Sequence, residues 1–275
     1  MTGSHDRCDA FRGLHQSGCF VIPNPWDIGS ARFLAQLGFP ALATTSAGFA
    51  WSLGRRDNGV SLTEALTHLR SIAPSVGDLP LNADFEGGFA ITPDGVGANV
   101  AMAVETGIAG LSIEDSTGDP ADPLFEFTLA VERIRAAREA IDRSGKAIVL
   151  TARSEGFVVG RPDLAETIRR LSAYADAGAD CLYAPRLGTL SEVTSVVSAV
   201  APKPVNVLAG SFATVADLAA VGVRRISVGG SLARAAWTGF LQAAKEIAEH
   251  GTFSNLGAAV PFAELNEFMG DRGVR

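Results

Sequence analysis

Residues 109–115 read AGLSIED and residues 147–153 read AIVLTAR, with the pattern EFTLAVERIRAAREAIDRSG (126–145) between them. Both short runs are almost continuously apolar, which is typical of parallel strands covered by helices. The segment between them repeats apolar residues at intervals of three and four, so that one face of a helix can pack on the sheet. This stretch therefore predicts a strand, a helix and a second strand.

The same alternation runs through most of the chain. Six further runs have the strand character, and helical patterns separate them: CFVIP (19–23), PALAT (40–44), PLNAD (80–84), DCLYAP (180–185), PVNVLAG (204–210) and RRISVGG (224–230). Eight strands that alternate with helices in a chain of 275 residues predict a (β/α)₈ TIM barrel. A doubly wound open sheet is the alternative, but NPWDIGS rather than G-x-G-x-x-G follows the first strand.

The C-terminal region exceeds what a closed barrel needs. Two helical patterns follow the eighth strand, SLARAAWTGFLQAAKEIAEHG (231–251) and PFAELNEFMGDRG (261–273). We therefore expect residues 1–275 to form one barrel domain, with 231–275 as a C-terminal helical extension. That extension would either pad the barrel or reach a neighbouring subunit.

Composition narrows the possible partners and locations. The chain has 23 basic and 30 acidic residues, a net charge of −7, and no Lys/Arg-rich run, so nucleic acid is not expected as a partner. No apolar run reaches about 18 residues, and the N-terminus MTGSHDRCDAFRG has no apolar signal core. These features predict a cytoplasmic protein that does not bind membranes. The three cysteines lack metal or disulfide spacing.

Acidic residues gather where strands three and four end. Asp84 and Glu86 follow one apolar run, Glu114 and Asp115 follow the next, and Arg153 ends the fifth. In a TIM barrel these strand ends form the active-site face. Like charges this close raise one another's pKa, and a divalent cation would remove the conflict. Oxygen donors without His or Cys favour Mg²⁺, with Mn²⁺ as an alternative. The acids could instead only cap helices or flank a turn.

Three other polar features are weaker signals. The small-residue loop TTSAG (44–48) could present backbone N–H groups to a carboxylate, or its small residues could reflect close packing. Asn206 could add one hydrogen bond to a substrate, or be a core amide satisfied by backbone. SVGGSLARAA (227–236) could hold a phosphate at a helix N-terminus, but glycines in a tight turn explain it equally well.

Taken together, several motifs resemble the isocitrate lyase/phosphoenolpyruvate mutase superfamily: NPWDIGSARFLAQLGFPALATTSAG, NADFEGGFA, GLSIEDS, TARSEGF and AYADAGADCLYAP. The resemblance extends from about Phe20 to about Ala235. It is greatest to short bacterial members described as phosphoenolpyruvate mutase-like or carboxyvinyl-carboxyphosphonate phosphorylmutase-like. It implies a barrel with Mg²⁺ and a 2-oxo or 2-hydroxy carboxylate in the site. It also implies a homodimer or homotetramer in which a C-terminal helix is exchanged between subunits.

The resemblance also implies roles for individual residues. Matched by position, Asp84 corresponds to the direct metal ligand, and Glu86 and Glu114 correspond to residues that hold metal-bound water. Asp57 corresponds to a further acid, and Arg153 to the arginine that faces the reacting group. The loop that binds the substrate carboxylate corresponds to Ser46, Ala47 and Gly48.

The loop after strand four departs from the superfamily. Lyases of the superfamily carry K-(K/R)-C-G-H there, whereas this chain reads DSTGDPADPLFEF (115–127), without Cys, Lys or His. Phosphoenolpyruvate mutases carry E-D-K, a following Asn, and a His at the end of strand six. Here the motif is E-D-S, no Asn follows, and strand six ends in Ala184 and Pro185. These departures argue against cysteine-dependent cleavage and against phosphoryl transfer.

We therefore predict a Mg²⁺-dependent carbon–carbon lyase or decarboxylase that acts on a small 2-oxo dicarboxylate such as oxaloacetate through a metal-stabilised enolate. Arg153 and Asp57 are the candidate catalytic residues. A phosphonopyruvate hydrolase, a mutase-like P–C bond enzyme and a non-catalytic 2-oxo acid binding protein remain alternatives. A Schiff-base aldolase is excluded because Lys146 and Lys203 both precede strands, at the end of the barrel opposite the active-site face.

Overall fold

The computed structural model describes the backbone of residues 3–270 and the side chains from Arg7 to Gly270. The strands are β1 (Phe20–Ile22), β2 (Leu42–Ala43), β3 (Leu81–Asp84), β4 (Gly110–Glu114), β5 (Val149–Arg153), β6 (Cys181–Tyr183), β7 (Val205–Leu208) and β8 (Arg225–Ser227). The α-helices are α1 (Gly3–Leu14), α2 (Ile28–Gln36), α3 (Ser46–Ser52), α4 (Leu62–Ile72), α5 (Pro93–Val104), α6 (Phe127–Ser144), α7 (Leu164–Asp176), α8 (Leu190–Val200), α9 (Val215–Ala220), α10 (Ser231–His250) and α11 (Phe262–Met269). Short 3₁₀ helices cover Ala73–Val76 and Ser254–Ala258.

The eight strands form one parallel sheet in the order β1-β8-β7-β6-β5-β4-β3-β2. The ends of this sheet meet, because the Ala43 amide at the end of β2 donates to the Pro23 carbonyl after β1 at 3.0 Å. The Asn24 side chain adds a bond to the Thr44 carbonyl at 3.0 Å. The structure confirms the predicted (β/α)₈ barrel, and each predicted strand is present with slightly shorter bounds.

One row of register partners descends through the barrel interior. Glu114 pairs in register with Arg153, then the row continues through Tyr183 and Asn206 to Arg225. The first three residues end their strands, Asn206 is second in β7, and Arg225 is the first residue of β8. Strand tilt in a barrel causes this descent. We call these five residues the interior row, because all of them line one cavity.

Helix α1, which the sequence patterns do not predict, closes the N-terminal end of the barrel. Phe11 is fully buried, and a Cβ placed on Gly110 at the start of β4 would lie 2.6 Å from its ring. His15 lies edge-on to the rings of Phe11 and Phe20, with centroids 4.8 and 5.2 Å away. Glycine at position 110 is therefore required by the close approach of α1 to the barrel floor.

The C-terminal helices differ in how they contact the barrel. Helix α10 buries only Ala233, whereas α11 packs on α2 with the rings of Phe33 and Phe268 4.7 Å apart. Gln36 fixes this contact by donating to the Phe268 carbonyl at 2.8 Å. The sequence pattern for the last helix extends to residue 273, and its end lies outside the described residues. Within residues 3–270, no helix combines the length and apolarity needed to span a bilayer.

Candidate active site

A cavity of about 350 Å³ opens at the C-terminal ends of the strands and extends into the barrel interior. Of the nine residues predicted for the site, seven line this cavity: Ser46, Ala47, Asp57, Asp84, Glu114, Arg153 and Asn206. Gly48 and Glu86 do not line it, and Glu86 lines a smaller cavity together with Ser46 and Asp84. The cavity therefore brings most of the predicted residues together, from five different strand ends or loops.

Arg153 is the centre of the site because its guanidinium binds three carboxylates. Nη1 lies 2.7 Å from Asp84 Oδ1, Nη2 lies 3.1 Å from Glu114 Oε2, and Nε lies 2.8 Å from Glu155 Oε1. Burial lowers the pKa of Arg153, but the three carboxylates raise it well above its ordinary value. The guanidinium is therefore a permanent cation, and the three contacts use one donor from each of its nitrogens.

The other oxygen of Asp84 binds the loop after β2. Oδ2 accepts hydrogen bonds from the Ser46 amide at 2.9 Å and from the Ser46 hydroxyl at 2.8 Å. The Gly48 amide donates to Thr45 Oγ1 at 3.2 Å. Two of the three backbone amides expected to hold a substrate carboxylate thus bind protein groups in this structure, and the Ala47 amide lies between them.

Crowding of the remaining acids perturbs their protonation. Burial, followed by the charges of Asp84 and Asp57, raises the pKa of Glu86 to about 8. Burial also raises the pKa of Glu114, an effect that the charge of Arg153 opposes. Asp57 lies at the cavity rim, where partial burial and the charge of Asp84 raise its pKa. If they all ionised, these acids would carry more negative charge than Arg153 alone balances, so a further cation would favour their ionised forms.

The donor set fits a hard divalent ion that keeps several waters. Among the described residues, no group of three or more His, Cys, Asp or Glu side chains is arranged to hold a metal ion together. Asp84, Glu86 and Glu114 nevertheless supply only oxygen donors at one face of the barrel, and none of the residues in the described part of the chain that line the cavity of about 350 Å³ is a softer ligand. Mg²⁺ is bound in this way, through one or two carboxylates with water completing the shell.

A buried network behind the cavity positions Glu155 and hence Arg153. Asp115 Oδ1 accepts the Glu155 amide at 2.8 Å, and its Oδ2 accepts Tyr174 Oη at 2.6 Å and Arg170 Nη1 at 3.1 Å. Side chains alternate across a strand, so Glu114 faces the cavity while the adjacent Asp115 faces α7. The E-D pair therefore has two different roles, which the sequence motif does not separate.

Several further residues line the cavity, and the sequence patterns gave none of them a role: Asn24, Glu155, Tyr183, Arg225 and Ser227. Tyr183 lies beneath Arg153, with the guanidinium carbon 5.3 Å from the ring centroid. Asn24 Oδ1 accepts the amides of Val228 and Gly229 at 2.9 and 2.8 Å, which ties the β8 loop to β1. Tyr183 could have been predicted from the sequence, since it ends β6 just as Arg153 ends β5.

The loop after β4 is closed at its base. Ser116 forms a β-bridge with Leu124, and the Thr117 amide donates to the Pro123 carbonyl at 3.1 Å. Residues 118–122 are exposed beyond this bridge, and Ser116 lines the cavity. The loop therefore stands beside the cavity with a base fixed by these contacts.

The chain is similar to proteins of known and unknown activity. A protein of Mycobacterium tuberculosis described as uncharacterized is 32% identical over 95% of this chain and 96% of its own length. The 2-methylisocitrate lyase of Escherichia coli is 33% identical over 71% of this chain and 68% of its own length. The oxaloacetate decarboxylase of Bradyrhizobium diazoefficiens is 28% identical over 68% and 65%.

Solved structures share the whole fold. A Burkholderia cenocepacia protein assigned provisionally as a lyase/mutase superposes with a TM-score of 0.94 at 44% identity, covering 100% of this chain and 99% of its own. Oxaloacetate acetylhydrolase in complex with oxalate superposes with a TM-score of 0.83 at 26% identity, covering 97% and 94%. The family model for phosphoenolpyruvate phosphomutase matches residues 11–248. This chain therefore belongs to the phosphoenolpyruvate phosphomutase family, and it is an enzyme of the isocitrate lyase/phosphoenolpyruvate mutase superfamily.

Proposed function

We propose that the chain is a Mg²⁺-dependent carbon–carbon lyase that decarboxylates a small 2-oxo dicarboxylate such as oxaloacetate. The observation that carries this proposal is the Arg153 cluster, in which one guanidinium and three carboxylates line a cavity at the strand ends. Among the described residues that line this cavity, none is a cysteine or histidine. A reaction that needs charge stabilisation but no nucleophile or imidazole base suits such a site.

The metal would bind through Asp84, with Glu86 and Glu114 contacting its water ligands. When bound, Mg²⁺ supplies Lewis acid stabilisation of negative charge on the 2-oxo oxygen. Asp84 is positioned for this role by β3 and by its hydrogen bonds to Ser46, so its carboxylate has one orientation in the site. The raised pKa values of Glu86 and Glu114 favour a cation, because a neighbouring positive charge makes their ionised forms less costly.

Arg153 would bind the substrate carboxylate and share its charge as the reaction proceeds. The planar guanidinium suits a two-point contact with a carboxylate, which orients the substrate as well as binding it. Burial raises the pKa of Tyr183 to about 12, so its hydroxyl keeps its proton and can donate a hydrogen bond to a substrate oxygen. Asp57 lines the cavity at its solvent-facing rim, and we propose that it delivers the proton that replaces the lost carboxylate on the substrate carbon.

The relatives support this choice of substrate class. One relative is named an oxaloacetate decarboxylase, and one structural neighbour an oxaloacetate acetylhydrolase bound to oxalate. The loop after β4 has no cysteine, which is the acid or base in the superfamily's cysteine-dependent lyases, as noted above. For the assembly, we propose a homodimer or homotetramer, since α10 presents Trp237, Phe240 and Leu241 on its exposed surface.

The test is a screen of 2-oxo and 2-hydroxy acids with Mg²⁺, in which pyruvate and CO₂ are followed. We expect release of both from oxaloacetate above the spontaneous rate, and loss of that release when EDTA removes the metal. Oxalate and acetate as products would instead identify a hydrolase of C–C bonds. Phosphate from phosphonopyruvate would identify a P–C bond enzyme, and tight oxalate binding without any turnover would identify a binding protein.

A further inference from the structure

The floor of the cavity holds an arginine whose charge no acid balances. Arg225 is 3% exposed and begins β8, inside the barrel. Its Nε donates to Asn206 Oδ1 at 2.9 Å, and its Nη1 lies 3.5 Å from His15 Nε2. Within the part of the chain that the structure describes, Arg225 forms no ion pair with Asp or Glu, in contrast to Arg153.

Both partners of Arg225 are neutral groups. His15 Nδ1 lies 2.8 Å from the Phe11 carbonyl, which can only accept, so Nδ1 carries the proton and Nε2 accepts from Arg225. Burial, followed by the charge of Arg225, lowers the pKa of His15 to about 3. An arginine surrounded by neutral acceptors keeps its charge, and burying such a charge without a counter-ion is costly.

A second buried side chain that lines the cavity has an atom without a hydrogen-bond partner. Asn82 is 2% exposed and lines the cavity, and its Oδ1 has no hydrogen-bond partner in the structure. Its amide nitrogen is used, because it donates to the Ala83 carbonyl at 3.1 Å. Arg225 and Asn82 both line the cavity, and the charge of Arg225, which only neutral groups contact among the described residues, indicates that an anionic ligand reaches the floor.

The cavity connects this floor to the proposed reaction site. Arg225 lies two residues before the end of β8, about 7 Å below the strand end at ~3.3 Å per residue. Tyr183 and Asn206 line the interior between Arg153 and Arg225. A ligand held at Arg153 therefore needs more than the two carbons of oxalate to contact Arg225.

We propose that Arg225 is a second anion subsite, which binds a carboxylate at the far end of a 2-oxo acid whose 2-oxo end lies at Arg153. This subsite goes beyond the proposed function, because the carboxylate lost in a decarboxylation is bonded to the carbon next to the 2-oxo group. The carboxylate at Arg225 would be a further one, which stays on the molecule during the reaction. The part that this subsite plays in a reaction rests on the proposed function. Binding of the distal carboxylate does not, because it can be measured without turnover.

The test compares acids of equal length that differ only at the distal end. Calorimetric titrations with Mg²⁺ present would pair 2-oxoglutarate with 2-oxopentanoate, and 2-oxoadipate with 2-oxohexanoate. For at least one pair, we expect the wild-type protein to bind the diacid about tenfold or more tightly than the monoacid, as a charge-assisted contact provides. Arg225→Gln should abolish that preference while changing oxalate affinity less than about twofold.

Matched controls separate this role from a structural one. Arg224→Gln removes the same charge from the neighbouring residue, which donates to the Gly18 carbonyl, and should keep the preference for diacids. Arg225→Lys keeps the charge and should retain part of the preference for diacids. This variant also tests the subsite if Arg225→Gln does not fold. No diacid preference in the wild-type protein, or an undiminished preference in Arg225→Gln, would overturn the proposal. Equal losses of affinity for oxalate and for the diacid in Arg225→Gln would overturn it as well. Diacid binding without turnover of any acid would contradict the proposed reaction but not the subsite.

Discussion

Arg153 and Arg225 belong to the same row of register partners, separated by Tyr183 and Asn206. Their charges are balanced in opposite ways. Arg153 binds three carboxylates at the mouth, whereas Arg225 contacts only the neutral acceptors Asn206 and His15 among the residues that the structure describes. The barrel thus has an excess of acid at its mouth and an unbalanced cation at its floor. A cation at the mouth and an anionic group at the floor would complement this distribution.

The first prediction concerns the metal at the mouth. Asp84→Ala should weaken Mg²⁺ binding more than about 100-fold, since loss of a direct ligand costs more than loss of an outer contact. It should also abolish activity. Calorimetric titration with Mg²⁺ measures the affinity, and circular dichroism checks the fold. The control is Asp176→Ala, which removes an exposed acid from α7. If Asp84→Ala binds Mg²⁺ as the wild-type protein does, Asp84 only organises the loop at Ser46.

The cysteines give a second prediction. Cys8 and Cys181 are buried in the core, and Cys19 is half-buried, all outside the cavity lining. A variant with all three changed to alanine should keep kcat/KM within about twofold, although the lost packing should lower its Tm by a few degrees. Steady-state kinetics and a thermal melt measure the two effects. A folded variant without activity would mean that a thiol takes part in the reaction.

How much the sequence could predict depends on which strand end a residue occupies. The eight strands and the acids at positions 84, 86 and 114 follow from apolar runs and from the rule that barrel chemistry sits at C-terminal strand ends. That rule overlooks Arg225, because it begins its strand and reaches the cavity only through the tilt of the sheet. It also cannot show that Asp115 faces away from Glu114, or that two of the loop amides are already bonded.

Contacts distant in sequence account for the remaining differences. Helix α1 has no strong apolar stripe, and its role depends on Phe11 meeting Gly110, about a hundred residues away. His15 is buried only because Phe20 and Arg225 surround it. Neither relationship has a local signal, so tertiary structure was needed to find them.

The burial of His15 predicts a pH dependence of stability. Its pKa is about 3 in the folded protein, below the value of about 6.5 expected when unfolded. Below pH 6.5 the unfolded state therefore binds more protons than the folded state. The contribution of neutral His15 to the free energy of unfolding is fully present above pH 6.5 and is lost as the pH falls toward 3. The loss should reach on the order of 2–3 kcal/mol by pH 4.5.

The His15 contribution can be isolated by substitution. Urea unfolding at several pH values between 7 and 4.5 should give a shallower decline in the free energy of unfolding for His15→Gln than for the wild-type protein. The control is His250→Gln, since His250 is exposed at the end of α10 and should leave the slope unchanged. Parallel slopes for His15→Gln and the wild-type protein would contradict the buried neutral state.

The exposed surface of α10 predicts self-association. Phe240 and Leu241 are 60% and 47% exposed, beside Trp237. Large exposed apolar side chains grouped on one helix mark interaction surfaces. Sedimentation velocity should show a homodimer or homotetramer for the wild-type chain and a monomer for the Phe240→Asp/Leu241→Asp variant. Glu249→Gln, near the polar end of the helix, should leave assembly intact. A monomeric wild-type chain at micromolar concentration would refute this prediction.

The last prediction tests whether Arg153 binds substrate or only balances the acids around it. Its three ion pairs are compatible with both roles. Arg153→Lys keeps the positive charge, so a counter-charge role predicts little loss. If the guanidinium grips a carboxylate at two points, lysine cannot supply the second hydrogen bond, and the loss should be about 1.5–3 kcal/mol. That corresponds to roughly ten- to hundredfold or more in kcat/KM.

The measurement is kcat/KM for the best substrate of the screen, beside Mg²⁺ affinity and Tm. The control is Arg169→Lys, an exposed arginine on α7 that pairs with Glu166 and should change none of the three. A lowered kcat/KM with unchanged Mg²⁺ affinity and Tm supports substrate binding, because only the two-point contact has then been lost. Undiminished kcat/KM excludes that role. Weaker Mg²⁺ binding together with a lower Tm would assign Arg153 to the balance of charge among Asp84, Glu114 and Glu155.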